Sequence, residues 1–205
     1  MAISAIFLMI FLLQHFLINI TSVFSEDIFN MLSHFMGTNF LVQFILQPIL
    51  IFGVIFHFVM GFYLEIENRK AKKYLYHKEV GGANSTWMSR NMIWSGLVVL
   101  SFLVLHFIDF WIPEMNYKYV EFLPEDPNRY YEELVHKFKN MWRVIFYCIS
   151  FILLSLHLLH GFSSALKSMG TNKSYASSIK NLSYIYSIGI PLGFCFIAIF
   201  HHLTH

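Results

Sequence analysis

The sequence predicts an all-α integral membrane protein with five transmembrane helices. Three observations carry this. Of 205 residues, 57% are hydrophobic and only 13% charged, about half the charge of an ordinary soluble domain. The mean hydropathy is +0.56. The apolar residues fall into five runs, each long enough to cross roughly 30 Å of hydrocarbon at about 1.5 Å per residue. A soluble globular enzyme, a disordered chain, a collagenous repeat and a disulfide-stapled secreted domain all fail on this composition. The net charge of +2 comes without the dense basic stripe that a nucleic-acid binder needs. Cys148 and Cys195 both lie inside apolar runs and read as small buried side chains without a redox task.

The five spans are expected at 2–24, 40–64, 91–112, 141–166 and 182–203, forming one membrane domain over 1–205. The first span lacks the basic leader and small-residue cleavage site of a signal peptide, and His15 and Asn19 sit deep within it. The connections differ in charge. Arg69, Lys70, Lys72, Lys73, Lys78 and Arg90 occupy 65–90, and Lys167, Lys173 and Lys180 occupy 167–180. Glu26 and Asp27 precede the second span, and most of the remaining acids fall in 113–140. The positive-inside bias then places the amino terminus inside and the carboxyl terminus outside. Residues 113–137, with Pro113, Pro124 and Pro127, read as an external loop. Trp87, Trp111 and Trp142 read as interface anchors.

Eleven histidines occur, and His15, His57, His106, His157 and His160 fall within spans, away from their edges. An ionisable side chain at that depth is costly and needs a partner. The first four spans each hold at least one. Helical rise puts His15 and His106 roughly 7–16 Å from the outer edge, and His57 and His157 roughly 12–15 Å from the inner edge. The histidines thus sort into two pairs at two depths. Two facing imidazoles suit iron, copper or zinc. With no carboxylate or thiolate beside them they favour a porphyrin, which supplies the other four nitrogens. The sequence has no Cys-x-x-Cys-His attachment motif. The expectation is therefore two six-coordinate haems b moving electrons within a bundle of the first four spans.

His57 is followed four residues later by Gly61, and His157 by Gly161, each glycine then followed by Phe. A residue at i+4 shares the face of residue i, so each glycine leaves room for a macrocycle or lets helices approach. His160 reads as an alternative ligand, a propionate or water contact, or an ordinary interhelical hydrogen bond. His34, His77, His136, His201, His202 and His205 read as solvated or interfacial residues.

Taken in order, Leu13-Gln14-His15-Phe16-Leu17-Ile18-Asn19, Phe56-His57-Phe58-Val59-Met60-Gly61-Phe62-Tyr63, Ser89-Arg90-Asn91-Met92, Leu105-His106 and Leu156-His157 through Gly161-Phe162 carry a resemblance over essentially the whole chain. The chain resembles the membrane-anchoring cytochrome b subunit of bacterial succinate dehydrogenase and fumarate reductase, in its single-polypeptide dihaem form. That resemblance implies the bacterial cytoplasmic membrane and a proximal haem b on His57 and His157. It also implies a distal haem b on His15 and His106. The implied partners are a flavoprotein subunit and an iron–sulfur subunit on the cytoplasmic face, membrane lipid, and a quinone, usually menaquinone. The dicarboxylate catalytic site would lie in the flavoprotein, leaving this chain as the quinone-reactive subunit. Arg90 becomes the candidate for a haem propionate, which guanidinium grips bidentately. His34, Glu26, Asp27 and Asp109 become the quinone-site candidates, since quinone chemistry needs proton-accepting groups near an aqueous edge. Relatives begin with a short basic stretch, whereas fourteen residues precede His15 here, which implies a translation start upstream of Met1.

Two rival readings follow from the same residues. A quinone-reactive dihaem subunit of a formate dehydrogenase or hydrogenase would keep the ligands and change the electron donor. A cofactor-free transporter would need broken helices or midplane polar groups; Pro48 and Pro191 are expected to interrupt the second and fifth spans, yet the spans carry no charge network.

Overall fold

The computed structural model describes residues 1–74, 92–170 and 176–205, and there the chain is helical without strands. Helix α1 covers Ala2–Ile20 and ends in a 3-10 turn, Thr21–Val23. Helix α2 covers Glu26–Thr38, and α3 covers Gln47–Tyr74 after a π turn at Val42–Leu46. Next come α4 at Met92–His106, a π turn at Phe107–Trp111, and α5 at Ile112–Tyr119. Helix α6 covers Arg129–Phe138, α7 Met141–Ser168 and α8 Ala176–Thr204.

Five stretches are long and apolar enough to cross a membrane: Ala2–Val23, Val42–Lys70, Ile93–Tyr119, Met141–Leu166 and Ser177–Thr204. The second, third and fifth outrun the expected spans. A helix does not stop where hydrophobicity stops if polar residues pair along its surface. At the end of the second span, Arg69 Nε lies 2.7 Å from Glu65 and Lys70 Nζ lies 3.0 Å from Glu67. Trp142 is exposed and Trp111 lies at the third span's π turn. Trp87, Lys78, His77, Arg90 and Lys173 lie outside the described residues.

The prolines correct one expectation. Pro48 and Pro113 each stand two residues after a π turn. Proline lacks an N–H and crowds the carbonyl one turn back, and widening the preceding turn relieves both defects while the helix runs on. Pro191 is buried within the continuous α8. None of the three interrupts its span. A second correction concerns 113–137, which is largely helical rather than an open loop. Helix α5 prolongs the third span, and α6 is an amphipathic helix whose Leu134, Val135 and Phe138 are buried.

Helices α2 and α6 cap one end of the bundle. Ser25 caps α2, its hydroxyl accepting the Ile28 N–H at 3.3 Å, and Glu26 and Asp27 complement the dipole of that first turn. Buried Asn30 reaches out of α2, its Oδ1 accepting the Tyr131 N–H at 2.8 Å. That satisfies one of the unpaired donors at the start of α6. Beneath this cap, Phe138, Tyr147, Phe151, Phe194 and Ile197 form the main apolar core. A smaller core of Met9, Leu158, Phe162 and Ala165 lies toward the other end.

Two glycines let α1 approach its neighbours. The Phe7 ring lies against Gly53 of α3, and the Phe16 ring against Gly193 of α8, both closer than a Cβ would allow. Phe16 is also held edge-on by Phe194, with centroids 5.3 Å apart, so it has little room to yield. Gly193→Ala should therefore destabilise the fold by about 1–3 kcal/mol, read as a lower unfolding midpoint in detergent. Adding Phe16→Leu to the same chain should recover most of the loss.

Candidate functional site

Four of the five span histidines meet in two pairs. The His57 and His157 rings lie 6.4 Å apart between centroids with planes 73° apart. The His15 and His106 rings lie 5.7 Å apart with planes 86° apart. His15 stands apart from His57, and the two pairs occupy two levels of one bundle. Ser4 of α1 touches His57, while His15 follows eleven residues later on that helix. At helical rise the levels are therefore roughly 16 Å apart.

Each ring has a second neighbour shell. At the first level, Ser4 Oγ lies 3.2 Å from His57 Nδ1, and Ser95 Oγ lies 3.3 Å from His157 Nδ1. Gly96 stands beside His157, where an added Cβ would sit 3.8 Å from Cε1. At the second level, Phe11 stacks on His15, Phe102 and Phe110 flank His106, and Phe194 lies 5.8 Å from His15. The Asn19 side chain donates to the His15 carbonyl at 2.8 Å and leans toward the ring. His106 Nδ1 is buried without a hydrogen-bond partner among the described residues.

The ring separations can be set beside those around a shared metal. Imidazole nitrogen binds a metal at about 2.0 Å, so two imidazoles on opposite sides of one metal have centroids roughly 6.3 Å apart. The His57–His157 separation matches, and the His15–His106 pair is within a small side-chain adjustment of it. All four rings are partly accessible. Along Val42–Lys70 Gly53 alone among the described residues is buried, leaving α3 loosely held by its own neighbours. Among the described residues no three His, Cys, Asp or Glu side chains converge to hold a metal unaided. A metal between either pair would bring its remaining ligands with it.

The other expected residues separate. Gly61 lies near Met1, where an added Cβ would make an ordinary 3.7 Å contact; it does not mark a tight cradle in the chain itself. Gly161 and His160 are partly buried on α7. Asp109 sits in the π turn and is 2% exposed. Tyr147 donates to its Oδ2 at 2.9 Å, and Arg143 Nη2 lies 3.0 Å from Oδ1. Both carboxylate oxygens are thereby engaged. Glu26 and Asp27 are exposed.

His34 lines a cavity of about 230 Å³ with Thr38, Gln43, Lys118, Arg129 and Tyr130. Its Nδ1 is buried without a hydrogen-bond partner among the described residues. The wall is an ionic cluster: Glu114 pairs with Lys118 and Arg129, Arg129 also pairs with Glu133 at 2.6 Å, and Lys118 donates to the Gly37 carbonyl. The Arg129 guanidinium lies over the Tyr117 and Tyr130 rings at 4.0 and 4.4 Å. Burial lowers its proton affinity, but the hydrogen bonds it donates to Glu114 and Glu133, and their charges, outweigh this and leave it raised.

Of the terminal histidines, His201 departs from the solvated or interfacial reading, while His202 is partly exposed and His205 exposed. His201 is fully buried. Ser22 donates to the Asn19 carbonyl at 2.7 Å, so at 2.9 Å its oxygen accepts from His201 Nε2. His202 Nδ1 lies 2.9 Å from the Phe138 carbonyl, and His205 Nε2 lies 3.1 Å from the Tyr131 hydroxyl. The three fasten α8 to the cap. Spacing alone gave no hint of this, because their partners are more than sixty residues away. Half-buried Cys148 and Cys195 are both free thiols.

No protein family, curated protein or solved structure matches the chain, and the site is read from its own geometry.

Burial, and then the Glu114 charge, push the Tyr130 hydroxyl up to about 12. An unfolded tyrosine ionises near pH 10, so between about pH 10 and 12 the unfolded state binds fewer protons and gains stability relative to the fold. Unfolding midpoints should fall across that window, and Tyr130→Phe should fall less steeply. Below pH 10 the two should run parallel.

Proposed function

We propose that this chain is a dihaem cytochrome b membrane anchor that carries electrons between an iron–sulfur subunit and a quinone in a succinate dehydrogenase or fumarate reductase. The observation supporting it most directly is the pairing of four histidines from four helices at two levels of one apolar bundle. His57 and His157 would hold one haem b, and His15 and His106 the other. Haem b with both axial positions filled takes up and releases single electrons and offers no open site for another ligand. Helix α1 and the span begun by α4 each contribute to both levels, holding the levels at a fixed separation for electron passage.

The residues around the second level serve the quinone end of this reading. Of the four expected proton-handling groups, His34 lines a cavity, and its buried Nδ1 has no hydrogen-bond partner among the described residues. Asp109 is already committed to Tyr147 and Arg143 and ties α7 to the π turn. In the expected orientation, α2 and α6 face outward and the flavoprotein and iron–sulfur subunits dock at the opposite end. Arg90, the propionate candidate, lies outside the described residues.

The test is spectroscopic. Membranes containing the chain should show two haems b per polypeptide by pyridine haemochrome quantification. His57→Ala or His157→Ala should remove one haem preferentially, His15→Ala or His106→Ala the other, and His160→Ala neither. Because the ring planes are 73° and 86° apart, the ferric haems should give strongly anisotropic low-spin EPR signals. A colourless, fully assembled chain would refute the reading. Copurification with a formate dehydrogenase or hydrogenase catalytic subunit in place of a flavoprotein would reassign the electron donor.

A further inference from the structure

Two serines hold the same position on the two rings of one pair. Ser4 of α1 meets Nδ1 of His57 on α3, and Ser95 of α4 meets Nδ1 of His157 on α7. The coincidence extends along the chain, because Ser4 precedes His15 by eleven residues and Ser95 precedes His106 by eleven residues. Eleven residues are very nearly three turns at 3.6 residues per turn, so serine and histidine share one face of their helix. Each of these helices therefore presents a hydroxyl to the first level and a ligand-capable imidazole to the second.

The hydroxyl chemistry fixes a tautomer. Ser4 Oγ donates its single hydrogen to the Met1 carbonyl at 2.8 Å. Toward His57 Nδ1, at 3.2 Å, its oxygen can then only accept. His57 must carry its hydrogen on Nδ1, leaving the Nε2 lone pair bare, and Ser95 occupies the equivalent place on His157. A metal-bound histidine usually gives its other N–H to such an acceptor, which fixes the ring and raises its basicity.

We infer that Ser4 and Ser95 are positioning residues that hold His57 and His157 as Nδ1–H tautomers with Nε2 presented to iron, and so set the redox potential of that haem apart from its neighbour's. This rests on the haem reading above. The His15–His106 pair has no such hydroxyls: His106 Nδ1 lacks a protein partner among the described residues, and His15 has the Asn19 amide near its ring. The serine-bonded imidazoles are the stronger donors and stabilise ferric iron. The His57–His157 haem is then lowered in potential relative to the same haem without the serines.

The experiment is an optical redox titration of membranes carrying the full chain, with wild type compared with Ser4→Ala, Ser95→Ala and the conservative Ser4→Thr and Ser95→Thr. His57→Ala identifies which haem is which. Each alanine variant should raise the midpoint of the His57–His157 haem, shift its EPR signal as the ring rotates, and speed its loss to a haem-scavenging protein on the order of tenfold. The other haem should keep its wild-type midpoint, and the threonine variants should restore the first. Serines that merely fill space would lower thermal stability and leave both midpoints and EPR signals unchanged. With two haems present, that outcome, or equal shifts of both haems, would overturn this inference alone. A wild-type chain that binds no haem would overturn the underlying reading and this inference with it.

Discussion

A neutral imidazole has one ring nitrogen that donates and one that accepts, and inside an apolar helix bundle neither can turn to water. At the centre of this chain that demand is met unevenly: polar side chains stand beside His57, His157 and His15, and His106 Nδ1 has none among the described residues. His15 finds its polar neighbour on its own helix, in the Asn19 amide. The first level draws on four helices: hydroxyls from α1 and α4 meet Nδ1 of the His57 and His157 rings, which α3 and α7 carry. Helices that share few buried side chains are tied together by these polar contacts. The loosely held α3 shows this most plainly.

The cap formed by α2 and α6 answers a different constraint. Long apolar helices can slide along one another, and something must set their register. Here polar atoms do so: Asn30 on the first turn of α6, Ser22 and the Phe138 carbonyl on the histidines of α8, and Asp109 on Tyr147 and Arg143. The π turn at Phe107–Trp111 belongs to this system. It accommodates Pro113 and at the same time houses the buried Asp109 that meets α7. The ionic cluster around Glu114 and Arg129 closes the cap and shapes the cavity beside His34.

Much of this was legible in the chain itself. Composition and run length determined an all-helical chain with five membrane-length spans, because crossing hydrocarbon requires a minimum apolar length and forbids unpaired backbone. Depth was legible too: rise per residue is constant in a helix, so counting from span ends put His15 level with His106 and His57 level with His157. Those are the rings that meet. The serines eleven residues before His15 and His106 carried a periodic signal that could have been read, although a hydroxyl in a helix more often bonds its own backbone.

What only the tertiary structure decided depends on rotation and neighbours rather than on length. Which face each helix turns inward fixed the partners of Ser4, Ser95 and Gly96, the engagement of both Asp109 oxygens, and the burial of His201 beneath residues far away in sequence. The helical order within 113–137 escaped composition because α6 is short: it buries Leu134, Val135 and Phe138 and pairs Arg129 with Glu133 one turn on, a local pattern that does not stand out beside the long apolar runs. Local rules measure distance along a helix. The azimuth of a side chain, and the hydrogen-bond partner it meets there, are properties of the assembled bundle.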